Sequence, residues 1–146
     1  MIIRFLAVLV TGLALIAPGA HVYELPRKIV LPMQQYFVVQ GIYRGWWIVG
    51  LLLPAALLAN LALAYVSRGD RLAFSLALAA AAMIAINLAI FAIWTQPVNS
   101  VTDNWLVQSD NWQALRRQWE FSHAANAGIT LLAFCLATLA ALRAPA

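Results

Sequence analysis

The chain has only two histidines and five acidic residues, and each histidine has a glutamate three positions away. The two segments, His21-Val22-Tyr23-Glu24 and Glu120-Phe121-Ser122-His123, run in opposite order. On a helix this spacing puts both side chains on one face. Imidazole with carboxylate is a ligand set for iron, zinc, copper or manganese, and Glu-x-x-His is the pattern by which helical bundles hold carboxylate-bridged metals. His21, Glu24, Glu120 and His123 are therefore the expected transition-metal ligands. A complete di-iron centre needs further carboxylates from other helices, and the stretches 43–66 and 72–95 contain no Asp or Glu. A single metal fits that supply better. A haem held by both histidines fits less well, because glutamates are awkward beside its apolar walls. Two metal-free readings compete: an acid–base site with His123 as base oriented by Glu120, and a structural cluster in which Glu24 and Glu120 pair with Arg27, Lys28 or Arg116.

The elements that position these residues follow from composition. Of 146 residues, 64% are hydrophobic and only 10% charged, with a mean hydropathy of +0.84. Soluble domains carry about a quarter charged residues, and a small domain keeps much of its surface exposed, so this apolar excess needs lipid as solvent. Four runs are long enough for the ~20 helical residues that cross a hydrocarbon core: roughly 2–25, 43–66, 72–95 and 119–142, the last with a start as early as Ser109. They lack the alternation of barrel strands. The expected fold is all-α, a single domain over 1–146, with four transmembrane helices in an antiparallel bundle. The first helix would then leave the membrane as the fourth enters, and both histidines would lie deeper than their glutamates by about 4.5 Å. Pro18-Gly19 is expected to kink the first helix. Cleavage of the first run as a signal peptide is disfavoured, because Pro18 would occupy the first position of the small-residue cleavage motif.

The net charge of +4 is spread over single residues and pairs with no basic stripe, which argues against nucleic acid. The lone Cys135 rules out an intrachain disulfide and a Cys-based zinc site. The tight Ser67–Arg71 connection and the N-terminal amine favour both termini in the cytoplasm, in a plasma or inner membrane.

All six tryptophans fall toward the longer connections: Trp46, Trp47, Trp94, Trp105, Trp112 and Trp119. An anchoring belt has two sides, so the imbalance points to a built cavity, with Trp94, Trp112 and Trp119 expected to hold a lipophilic, aromatic or quinone-like substrate. Trp105, Trp112 and Trp119 recur every seven residues and would share one side of a helix. Asp110 is a reasonable helix cap. Pro97 is expected to stop the third helix, leaving Asn99 near the site, where it could orient a substrate oxygen. Asn60 and Asn87, mid-span, are expected to be interhelical glue.

Pro97-Val98-Asn99, Leu115-Arg116, Trp119-Glu120 and His123 together resemble the anthrone-oxygenase-like family of small four-helix membrane proteins. The resemblance spans most of the chain in layout, on short motifs. It implies an oxygenase that adds dioxygen at an activated ring carbon, with Asn99, Trp119 and His123 as the residues carried over. Asn126 departs from the basic residue expected after the histidine, which leaves the substrate open. The rival expectation is a non-enzymatic multispan subunit, binding a partner or lipid, whose His/Glu cluster is structural. A transporter of four spans would have to oligomerise, and a homo-oligomer is compatible with either main reading.

Overall fold

The structure is a computed structural model that describes residues 1–143. Among these residues there is no strand. Four helical stretches, Ile2–Lys28, Trp47–Val66, Arg71–Val101 and Trp112–Arg143, are long and apolar enough to cross a membrane. The first consists of α1 (Ile2–Ala14) and α2 (Ile16–Lys28), separated by an irregular turn at Leu15. Pro18 has no N–H to offer the carbonyl of Ala14, so the ladder loosens there. A short helix α3 (Met33–Gln40) and a 3-10 turn, Gly41–Tyr43, form the first connection. The second stretch is α4 (Trp47–Gly50) and α5 (Leu52–Val66).

The third stretch differs from the sequence expectation. α6 (Arg71–Ile90) passes into a π-turn at Phe91–Thr95 and resumes as α7 (Gln96–Val101), so Pro97 does not end the helix. The wider turn just before Pro97 resets the hydrogen-bond register where the proline cannot donate. The fourth stretch, α8 (Trp112–Arg143), begins between the expected 119 and the earlier start near Ser109. Its first turn bonds to the carbonyl of Asn111 and not to that of Asp110.

Packing is inverted relative to a water-soluble bundle. The contacts between helices are made by Ala7, Ala64, Ala77, Ala80, Ala137 and Ala140 around Leu63, and by Ala14, Ala56 and Ala133 around Ile84. The large residues Leu58, Ile86, Leu131, Leu132 and Leu139 face outward. Small side chains let backbones approach closely, so that association rests on van der Waals contact and polar links. The links are as expected: Asn60 donates to Thr11 Oγ1 at 2.8 Å, and Asn87 donates to Thr130 Oγ1 at 2.5 Å. At the tight connection, Asp70 accepts from the N–H groups of Leu72 and Ala73 and pairs with Arg143 at 3.3 Å. The Ala73 bond leads in holding its carboxyl below the usual range.

Enlarging an interior alanine should therefore cost more than trimming an outward leucine. Ala137→Leu is expected to lower stability by about 1–3 kcal/mol through overpacking, and Leu132→Ala to stay within about 0.5 kcal/mol. Thermal unfolding of the purified protein in detergent measures both. Equal losses would contradict the inverted packing.

Candidate functional site

At one end of the bundle α2 meets the start of α8, and the residues singled out by spacing come together there around a lysine. Lys28 lies four positions after Glu24 and seven after His21, so all three share a face of α2. Its Nζ is 3.2 Å from Glu120 Oε1, 3.4 Å from Glu24 Oε2, 3.4 Å from His21 Nδ1 and 3.1 Å from the Tyr43 hydroxyl. It also lies over the rings of Tyr43 and Trp119, at 4.6 and 5.0 Å. Lys28, His21 and Glu120 are almost wholly buried. The Tyr43 hydroxyl donates a close hydrogen bond to Glu24.

His21 and His123 pack ring to ring with centroids 4.3 Å apart, and Trp119 lies edge-on to both at 4.8 and 4.2 Å. That contact leaves no gap between the imidazoles for a porphyrin. Nor does the expected metal set fit. His21 Nδ1 and Glu24 are 3.9 Å apart, but the ammonium of Lys28 contacts both of them and Glu120 as well. Among the described residues, no three of His, Cys, Asp and Glu are gathered as a metal site. The cation among these groups is the chain's own, as the structural reading had it for Lys28.

Glu120 does not make the expected bond to His123. Its Oε1 accepts from the Tyr36 hydroxyl at 2.9 Å as well as from Lys28. Tyr36 comes from α3, is fully buried, and accepts in turn from Gln40. Around it Trp105 packs edge-on at 4.9 Å and Arg116 lies over the ring at 5.3 Å, while Arg116 also donates to the carbonyl of Leu31 at 2.8 Å. Burial, reinforced by the Glu120 carboxylate, pushes the Tyr36 phenol well above its ordinary value.

The tryptophans do not line up on one helical side. The segment before α8 is not helical: Asp103, Asn104 and Trp105 have φ of 45°, 55° and 67°. Left-handed backbone costs an L-residue roughly 1–2 kcal/mol; Asp and Asn tolerate it, whereas a tryptophan there is exceptional. The turn is held by Asn104 N–H to the Asn99 carbonyl at 2.8 Å and Trp105 N–H to Thr102 Oγ1 at 3.0 Å. It drives the Trp105 ring inward against Tyr36, Phe37 and Trp119. Trp112 lies in the same layer, 6.3 Å from Tyr36 and under Arg116. Asn99 Oδ1 accepts from the Trp119 indole at 2.8 Å, so it orients the ring that touches both histidines.

Trp94 goes elsewhere. With Phe121 and Ser122 it lines an open groove on the far side of α8 from His123. Lys28, Tyr36, Tyr43, Trp105 and Arg116 are the residues of the cluster that spacing alone did not single out as site residues. Lys28 had a signal in its helical register with His21 and Glu24, Arg116 as a candidate partner of the glutamates, and Trp105 in a seven-residue spacing that pointed to the wrong geometry; Tyr36 and Tyr43 had none.

No protein-family model matches the chain, and no curated protein or solved structure matches it either.

The raised Tyr36 value has a testable sign. The folded state keeps the phenol proton beyond the pH at which an unfolded tyrosine releases it, about 10. This contribution to stability is whole below that pH and is lost as the pH rises above it. In a spectrophotometric titration, Tyr36→Phe is expected to leave the tyrosinate signal near pH 10 unchanged and to lessen the alkaline loss of stability. A smaller tyrosinate signal in the variant would show that Tyr36 ionises normally.

Proposed function

We propose that the chain is a membrane-embedded, metal-free oxygenase in which the Lys28-centred cluster performs acid–base chemistry on a lipophilic aromatic substrate. The observation that carries this is the position of Lys28: an ammonium sits among the His and Glu side chains that would otherwise share a metal. In this reading the four long helices cross the bilayer antiparallel to one another, with both termini cytoplasmic and the Trp-rich end facing outward. The large apolar residues facing outward, with alanines inside, support the crossing of the bilayer.

His123 is half-buried, with its ring against His21 and Trp119. It is the general base, taking a proton from an acidic ring C–H of the substrate. The charge that develops on the substrate oxygen is stabilised by the positive charge of the Lys28 ammonium, held in place by Glu24, Glu120 and Tyr43. Dioxygen is the oxidant. It accepts the electron pair of the substrate carbanion as a C–O bond forms, and protonation gives a hydroperoxide. Loss of water then leaves a carbonyl where there was a CH2, so that one O2 is consumed and one water released. The resemblance of Pro97-Val98-Asn99, Trp119 and His123 to the anthrone-oxygenase-like family supplies the substrate class, a tricyclic anthrone or a similar ketone. Asn99 acts through the Trp119 ring that it orients.

A second reading is favoured by one observation: Glu120 already has two partners, Tyr36 and Lys28, which suits a purely structural cluster in a non-enzymatic subunit. The two readings separate on His123. Oxygen uptake and quinone absorbance with an anthrone probe should fall by about 10²–10⁴-fold in His123→Ala, while detergent-extracted protein keeps its unfolding temperature. Lys28→Arg keeps the charge and should retain part of the activity. Lys28→Met strands the buried Glu120 carboxylate and is expected to destabilise the fold by about 3–5 kcal/mol. A wild-type protein inactive on anthrones, with His123→Ala chiefly unstable, would favour the structural reading. Elemental analysis checks the metal-free part. Stoichiometric metal that disappears in a folded His21→Ala/His123→Ala variant would overturn it.

A further inference from the structure

On the other side of α8 from the cluster, an open groove of about 440 Å³ runs between that helix and the π-turn, lined by Ile90, Trp94, Arg117, Gln118, Phe121 and Ser122. Its construction is local and specific. The π-turn Phe91–Thr95 adds a residue to one turn of the third helical stretch. Gln118 Nε2 then donates to the Trp94 carbonyl at 2.8 Å, tying the turn to α8 across the head of the groove. Below that tie, Thr95 and Ser122 share a hydrogen bond of 2.8 Å that closes the floor. The walls remain open: Trp94 is 47% exposed and Phe121 57%.

Charge distinguishes this groove from a second one on the surface. The groove lined by Phe5, Leu9, Gly12 and Phe134 is entirely apolar, with nothing to select an occupant. Here Arg117 stands at the rim. Its neighbour Arg116 is turned inward and engaged with Tyr36, Trp112 and the Leu31 carbonyl. Arg117 is exposed and has no acidic partner among the described residues. A cation at the mouth, an amphipathic indole beside it and an apolar channel running away from both match one kind of ligand: an anionic headgroup joined to an acyl chain. Arginine binds phosphate oxygens in a planar fork, and tryptophan sits at headgroup level.

We propose that this groove binds an anionic phospholipid of the surrounding bilayer, with its phosphate on Arg117 and one acyl chain along Phe121 and Ile90. The proposal rests on the membrane placement argued above and not on the oxygenase chemistry. The test is native mass spectrometry of the detergent-purified full chain, titrated with phosphatidylglycerol against phosphatidylcholine. The wild type should retain phosphatidylglycerol preferentially. Arg117→Gln should cut that preference about fivefold, the effect of one basic residue at an anionic surface. Ala125→Phe, which fills the groove without changing charge, should lower retention of both lipids. Arg27→Gln, an exposed cation outside the groove, should leave the preference intact. No preference in the wild type, or equal losses in Arg117→Gln and Arg27→Gln, would overturn the site. Alkaline carbonate extraction of native membranes tells the two failures apart. Chain released into the supernatant would sink the membrane placement itself, whereas chain kept in the pellet without lipid preference sinks only the groove.

Discussion

The ammonium of Lys28 is the point on which the aromatic end of this bundle turns. A buried ion is tolerated only when its charge is met and its remaining hydrogen-bonding positions are filled. Lys28 meets Glu24 from its own helix and Glu120 from α8, and its contact with Tyr43 brings in the first connection. Glu120 in turn is completed by Tyr36, a residue of α3. The segment between the first and second long helices is therefore folded down over the bundle. The carboxylate and the lysine both need hydroxyl partners that the apolar helices do not supply. The left-handed turn at Asp103–Trp105 serves the same layer by closing it with an indole against Tyr36.

The rest of the bundle explains why this chemistry is confined to one end. Along most of its length the helices touch through alanines, with polar contact limited to links such as Asn60 to Thr11 and Asn87 to Thr130. Backbones that close leave no space for a charged side chain or a ligand. The cluster lies where the buried residues change from alanine to tyrosine and tryptophan. The tightness of one half is what fixes the geometry of the other.

Hydropathy made the four helices legible, and the His/Glu spacing located the right end of two of them. What spacing could not give was the direction in which a terminal cation turns. A lysine at a helix end ordinarily extends its charge outward to water or headgroups, and Lys28 does the opposite because two glutamates and the rings of Tyr43 and Trp119 wait inside. The position of Trp94 was hidden for a different reason. Helical periodicity predicts a face only while the turn length is constant, and the π-turn changes it just where Trp94 sits. Trp105 was beyond reach in the same sense, since three consecutive left-handed residues that are not glycine have no signature that periodicity can detect. The polar links at Asn60 and Asn87, by contrast, follow from one amide in an apolar run, which reaches a hydroxyl on a neighbouring helix.

Burial within the cluster also sets the direction from which a substrate would arrive. Lys28, Glu120 and Trp119 are enclosed, whereas Glu24, Tyr43, Trp46 and His123 keep a partly open edge. In the proposed reaction the open edge thus carries the imidazole that would act as base, and the enclosed floor the lysine charge that would stabilise an oxyanion. Tyr43 and Trp46 pack against His21, and Tyr43 also touches Lys28, so a ring entering past them would meet that part of the cluster first, whereas His123 is reached beside Trp119. The groove at Trp94 lies across α8 from that edge, so a lipid held there would not compete with a substrate for the same opening.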